Sequence, residues 1–162
     1  MAVHTIPSLQ VRFAADHDRL DKLFADYQRF KRTDYGRAKE AFREFKFGLQ
    51  RHIIWEEQVL FPLFEKKTGM LHRGPTEVMR MEHRIIGSYL EAIHTHVREH
   101  DPNTDDEEEA LLGALAAHNQ KEETVLYPML ERLLNEEEKA QAFTDMAAVP
   151  EEAYRKCCGH GH

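Results

Sequence analysis

At 162 residues the chain is long enough for one domain with a full core and too short for two ordinary ones. Its formal net charge of −7, with no local Lys/Arg cluster, argues against nucleic acid or an anionic membrane as a partner. No window has the apolar run of a signal peptide or a transmembrane helix, and the only cysteines, Cys157 and Cys158, lie too near the C-terminus to staple a core, so a soluble cytoplasmic protein is expected.

Apolar residues at Phe13, Leu20, Leu23, Phe24, Tyr27 and Phe30 predict a helix over about 13 to 32, with His17 filling the gap in its stripe. Asp34 is placed to cap a second helix running to about Lys67, before Gly69. Its inward positions are Ala38, Phe42, Phe45, Leu49, His52, Glu56, Val59 and Leu63. Pro62 falls inside this pattern and must bend the helix or loosen a backbone bond, since it has no N–H for the carbonyl four residues back. Pro128 repeats the feature.

Pro75 suits the first turn of a third helix, which carries Met79, His83, Ile86, Leu90, Ile93 and Val97 inward and ends near the sequence HDPN. A fourth helix, from about Asp105 to Leu134, opens on a run of acids and buries Leu111, Leu115, His118, Glu122, Val125, Met129 and Leu133. Asn135 followed by three glutamates predicts a short fifth helix to about Ala147, and Pro150 opens a polar tail that should be mobile. The expectation is all-α: an up-down-up-down four-helix bundle over residues 1–148, with an internal two-fold repeat and a short C-terminal helix, followed by a flexible tail at 149–162.

The repeat is explicit. HIIWEEQVLFP at 52–62 returns as HNQKEETVLYP at 118–128, an offset of 66 residues that also maps His17 onto His83. Four histidines and two glutamates, His17, His52, Glu56, His83, His118 and Glu122, therefore recur together, each in a core slot of its helix. Spacing of four puts His52 with Glu56, and His118 with Glu122, on one helix face. Counting residues to the helix ends brings the six to similar heights within about one turn. A lone core histidine is ordinarily just hydrogen-bonded, but two buried carboxylates without a counter-charge cost several kcal/mol, roughly, which two bridging divalent cations turn into binding. Nitrogen and oxygen ligands without thiolate suit iron, manganese or zinc, and six ligands for two ions leave positions open.

Other candidates are weaker. Glu57 and Glu123 also repeat but lie about 100° from their ligand neighbours, which favours support of the ligands or a surface place over ligation. His94, His96 and His100 read as an exposed helix end before an accessory metal patch, Trp55 and Tyr89 as aromatic core packing before a lining of the pocket, and the terminal CCGHGH as a disordered end or a holder of a soft metal or redox exchange.

His17, His52-x-x-x-Glu56, His83 and His118-x-x-x-Glu122, with the trailing LFP and LYP, resemble the hemerythrin-like (HHE cation-binding) domain family over residues 13 to 134. The resemblance implies a four-helix bundle around an oxo- or hydroxo-bridged pair of iron ions, the four histidines as terminal ligands and the two glutamates as bridges. Oxygen carriers of that family have a second histidine four residues after the third-helix ligand, where this chain has Gly87, which argues against simple oxygen transport. Glu82 resembles an acidic residue near the site in the iron-sulfur-repair branch, whose cysteine-bearing N-terminal domain has no counterpart in this sequence. The functional expectation is a di-iron protein that binds O2 or NO in stress protection or sensing. An oxidoreductase acting on peroxide, NO or ferrous iron, or an iron reservoir, is the alternative.

Overall fold

The structure, a computed structural model, describes residues 8–155. It is all-helical, and the described residues include no strand. Helix α1 (Leu9–Phe30) opens on Ser8, whose hydroxyl accepts from the Val11 N–H, so it starts ahead of the predicted residue 13 and buries Leu9. Asp34 accepts from the Arg37 N–H and starts α2 (Tyr35–Trp55), which continues through a π-helical turn (Glu56–Leu60) into α3 (Phe61–Thr68). Gly69, at φ 72°, ends α3 in the left-handed conformation that glycine adopts without strain.

Helix α4 (Pro75–Arg98) has proline in its first turn as predicted, and α5 (Asp105–Lys121) has four acids in its first turn. A second π-helical turn (Glu122–Leu126) leads into α6 (Tyr127–Leu133). Asn135 and Glu138 form a reciprocal capping box for α7 (Glu136–Ala148). No helix among the described residues is long and apolar enough to cross a membrane.

The two π turns are what the prolines do to the backbone. Pro62 and Pro128 cannot supply the N–H that would continue the α ladder. The Phe61 N–H bonds the Glu56 carbonyl and the Tyr127 N–H the Glu122 carbonyl, five residues back rather than four. Each wider turn admits one extra residue, so the buried face beyond it shifts by one. The expected inward residues Val125, Met129 and Leu133 give way to Leu126, Tyr127, Leu130 and Leu134, and Val125 is 47% exposed. Beyond Glu56, Val59 stays buried as expected, but Leu60, Phe61 and Phe64 take the core place expected of Leu63.

Two apolar clusters make the core. One contains Leu20, Phe24, Phe42, Phe45, Leu49, Ile86, Leu90 and Leu115; the other contains Phe13, Leu60, Phe61, Phe64, Met79, Leu126, Tyr127 and Leu130. On α1, α4 and the α5 segment with its π turn, the predicted ligands fall between members of one cluster and members of the other. On the α2 segment His52 and Glu56 likewise separate Leu49 from Leu60. A polar layer is thus sealed from both ends by packed hydrocarbon and aromatic rings, with α1 packed along α2 and α4 along α5.

The expectation of a mobile tail from Pro150 needs correction where the structure describes it. Residues Glu151–Arg155 form α8, and Tyr154 is buried against Phe47 and Trp55, with ring centroids 5.7 and 6.3 Å away. The Trp55 indole N–H lies 2.9 Å from the Tyr154 hydroxyl and 3.0 Å from the Met146 carbonyl, so Trp55 fastens the C-terminal helices instead of lining the site. The rest of the predicted tail, CCGHGH included, lies outside the described residues. Tyr154→Ala is expected to cost roughly 2 kcal/mol, because it deletes a buried ring and a hydrogen-bond partner of Trp55. Urea unfolding of the two proteins measures it, and an unchanged midpoint would mean that α8 does not dock.

Candidate metal centre

The six predicted side chains come together, all of them buried. Glu56, His83, His118 and Glu122 form one group that could hold a metal ion, and His17, His52 and Glu122 form a second, each with ligand atoms within 4.8 Å of one another. His17 Nε2 lies 3.1 Å from His52 Nε2 and 3.2 Å from Glu122 Oε1. On the other side His118 Nε2 is 3.3 Å from Glu122 Oε1, and His83 Nε2 is 3.2 Å from Glu56 Oε1. Glu122 belongs to both groups and so joins them.

Carboxylates hold the outer ring nitrogens. Asp16 lies 2.9 Å from His52 Nδ1, Glu82 2.9 Å from His118 Nδ1 and Glu57 2.6 Å from His83 Nδ1. Each keeps the proton on Nδ1 and turns the Nε2 lone pair inward, the tautomer that metal ligation needs. Glu123 stands at the equivalent place beside His17, but at 3.7 Å its contact is looser. The pairs Asp16 with Glu82 and Glu57 with Glu123 follow the same 66-residue offset as the ligands, so the two-fold repeat extends to the residues behind them. Asp16 is the member that motif reading missed, although applying the offset to Glu82 would have found it.

Tyr127 is the larger omission. Its hydroxyl lies 2.8 Å from Glu56 Oε2, 3.0 Å from Glu122 Oε1, 3.1 Å from His52 Nε2 and 3.4 Å from His17 Nε2. In an α-helix a residue five positions after Glu122 would point about 140° away from it. The π turn brings Tyr127 back over the ligand face, and at the paired position Phe61 stacks on His83 with ring centroids 5.6 Å apart.

The electrostatics fit a cation. Glu56 Oε1 and Glu122 Oε2 are buried with no hydrogen-bond partner, and unsatisfied lone pairs of this kind are what a bound ion fills. Burial and the charge of Glu122 raise the Glu56 pKa. Burial also opposes ionisation of Glu122, but contacts with Glu56, His118 and His17 hold it well below the usual carboxylate range. Burial disfavours charge on His83 as well, yet Glu56 and Glu57 outweigh it and raise the imidazole from 6.5 to about 10.

These shifts give a pH dependence of definite sign. In the metal-free chain, His83 contributes stability that is full below pH 6.5 and is lost as pH rises through about 10. Metal ligation requires that proton to leave, so metal affinity should move the opposite way and weaken as pH falls. Denaturant unfolding of metal-free protein across this window, paired with metal titrations, should show the two trends crossing. Metal-free stability that is flat with pH, or metal affinity that does not change, would contradict the charge assignment.

A cavity of about 10 Å3, room for roughly one water, reaches the ligands. It is lined by His17, His52, His83, His118 and Glu122, with Leu20, Phe45, Leu49, Ile53, Ile86 and Leu115 as apolar walls and Asp21 and Asn119 as polar members. Tyr89 packs against the apolar cluster. His94 stacks on Phe42 and His96 pairs with Asp101, and neither belongs to a metal-holding group among the described residues.

The model of the hemerythrin HHE cation-binding domain matches residues 9–130, which include all six predicted side chains. The chain belongs to the hemerythrin HHE cation-binding family. An uncharacterized hemerythrin-like protein of Schizosaccharomyces pombe is 33% identical over 118 residues, 72% of this chain and 58% of that protein. Iron-sulfur cluster repair proteins YtfE of Edwardsiella ictaluri and of Escherichia coli are 44% and 42% identical over 45 residues, 28% of this chain and 20% of theirs. This hemerythrin-like chain therefore spans under three fifths of the first relative's length and a fifth of the repair proteins'. No solved structure matches it.

Proposed function

We propose that this chain is a non-haem di-iron protein that binds a small diatomic ligand, O2 or NO, and serves in protection against oxidative or nitrosative stress. Its fold is read as an up-down-up-down bundle with an internal two-fold repeat. His17 and His52 would hold one iron and His83 and His118 the other, with Glu56 and Glu122 between them. The observation that carries the reading is the pair of buried ligand groups sharing Glu122 beside a cavity of about 10 Å3. A bound iron pair supplies reversible redox change at open coordination positions. The chain's own part is to aim four Nε2 atoms inward through the Nδ1 partners, to keep water out with two apolar clusters, and to admit only a molecule of a few atoms.

The partial likeness to iron-sulfur cluster repair proteins supports a second reading, in which the centre stores iron and gives it up to other sites. Adding O2, then NO, then peroxide to the reduced protein, with its visible spectrum recorded at each step, separates the readings. Ligand binding gives an adduct that reverses on degassing. Repeated consumption of NO or peroxide would make the protein an enzyme, and release of iron with no adduct would make it a reservoir.

A further inference from the structure

We infer that Tyr127 is itself a ligand of the ion held by His17 and His52, and that the ion held by His83 and His118 is the one left open to a small molecule. The inference rests on the two-ion reading above. Two ligand atoms at about 2.1 Å from one ion lie roughly 3.0 Å apart at right angles and 3.4 Å apart at the tetrahedral angle. His17 Nε2 shows this spacing to His52 Nε2 and to Glu122 Oε1, at 3.1 and 3.2 Å, while His52 Nε2 and Glu122 Oε1 stand 3.9 Å apart, a wider angle at one ion. The Tyr127 hydroxyl extends it, at 3.0 to 3.4 Å from all three and 2.8 Å from Glu56 Oε2.

A phenol donates one proton, to Glu56 or to Glu122 but not to both, so hydrogen bonding leaves one of these two carboxylate oxygens without it. An ion among the hydroxyl's four neighbours satisfies all of them at once. On binding, the O–H bond breaks, the proton leaves to solvent, and the phenolate oxygen donates its electron pair to the ion, with no electron transferred.

The two halves of the repeat differ at this point. The residue paired with Tyr127 is Phe61, whose ring lies flat on His83 at an interplanar angle of 13° and offers no donor atom. Gly87, buried one turn beyond His83, offers none either. One ion is thereby given Tyr127 in addition to its histidines and carboxylates, while the other has two histidines and two carboxylates. The ligand-lined cavity borders all four histidines and Glu122 but not Tyr127, so Tyr127 lies on the side of the centre away from it.

Loading metal-free protein with ferric iron and recording visible absorption and resonance Raman spectra tests this. The expected result is two irons per chain with a phenolate-to-iron charge-transfer band and enhanced tyrosine ring modes. Tyr127→Phe should lose both features yet still bind two irons, since Phe61 shows that a plain phenyl ring fits the paired position. Azide should bind once per wild-type chain and twice per chain of the variant. Two irons bound without the band, a band that survives in Tyr127→Phe, or equal azide counts would each overturn the inference while leaving the two-ion reading intact. A chain that takes up no iron overturns both.

Discussion

Replacing Glu122 by alanine is expected to strip the chain of both ions of the proposed centre. Glu122 is fully buried, and it is the one residue common to the two ligand groups. Its Oε1 lies 3.2 Å from His17 Nε2, 3.3 Å from His118 Nε2 and 3.0 Å from the Tyr127 hydroxyl, so the substitution removes a vertex from each half. It also leaves His17 and His118, whose pKa values are raised chiefly against burial by contact with Glu122, without their nearest counter-charge. Losing one member of a buried charged set costs about 3 kcal/mol. His17→Ala, by contrast, leaves the group of Glu56, His83, His118 and Glu122 whole and should retain about one ion. Elemental analysis after reconstitution distinguishes the cases, with Glu122→Gln as the isosteric control. A Glu122→Ala chain that keeps one ion would mean two independent sites.

Removing the metal from the intact chain should lower its melting temperature by about 10 °C, since a ligand present at about a thousand times its Kd adds about 4 kcal/mol to a domain of this size. Without the ions, the centre has buried carboxylate lone pairs on Glu56 and Glu122 that nothing fills. The helices should persist below the melting point, because the two apolar clusters do not depend on the metal. Circular dichroism melts before chelation, after chelation and after metal is restored measure the difference. A melting temperature indifferent to chelator would show that the polar layer satisfies itself.

Much of the centre was legible because its chemistry is repeated. No single histidine announces a ligand, but an offset of 66 residues carries His17, His52 and Glu56 onto His83, His118 and Glu122, and the fold brings the six together. The helices followed from apolar periodicity and from caps such as Asp34 and Asn135. What α-helical periodicity could not supply was the consequence of a wider turn. Pro62 and Pro128 marked where the ladder loosens, yet a period of 3.6 kept pointing Val125 and Met129 inward, and so concealed Leu126, Leu130 and above all Tyr127. Asp16 was hidden for another reason: it sits beside His17 in sequence but supports His52, 36 residues away, a pairing that only the fold creates. The docking of Tyr154 on Trp55, likewise, depends on a contact across 99 residues that a polar terminal stretch gave no reason to expect.

The most direct test of the account is a titration of metal-free protein with ferrous iron under nitrogen, followed by proton release and by the iron retained after gel filtration. Saturation at two irons per chain is expected, with protons released as His83 and its neighbours give up theirs to bind. Saturation at one iron, or no retained iron at all, would contradict it.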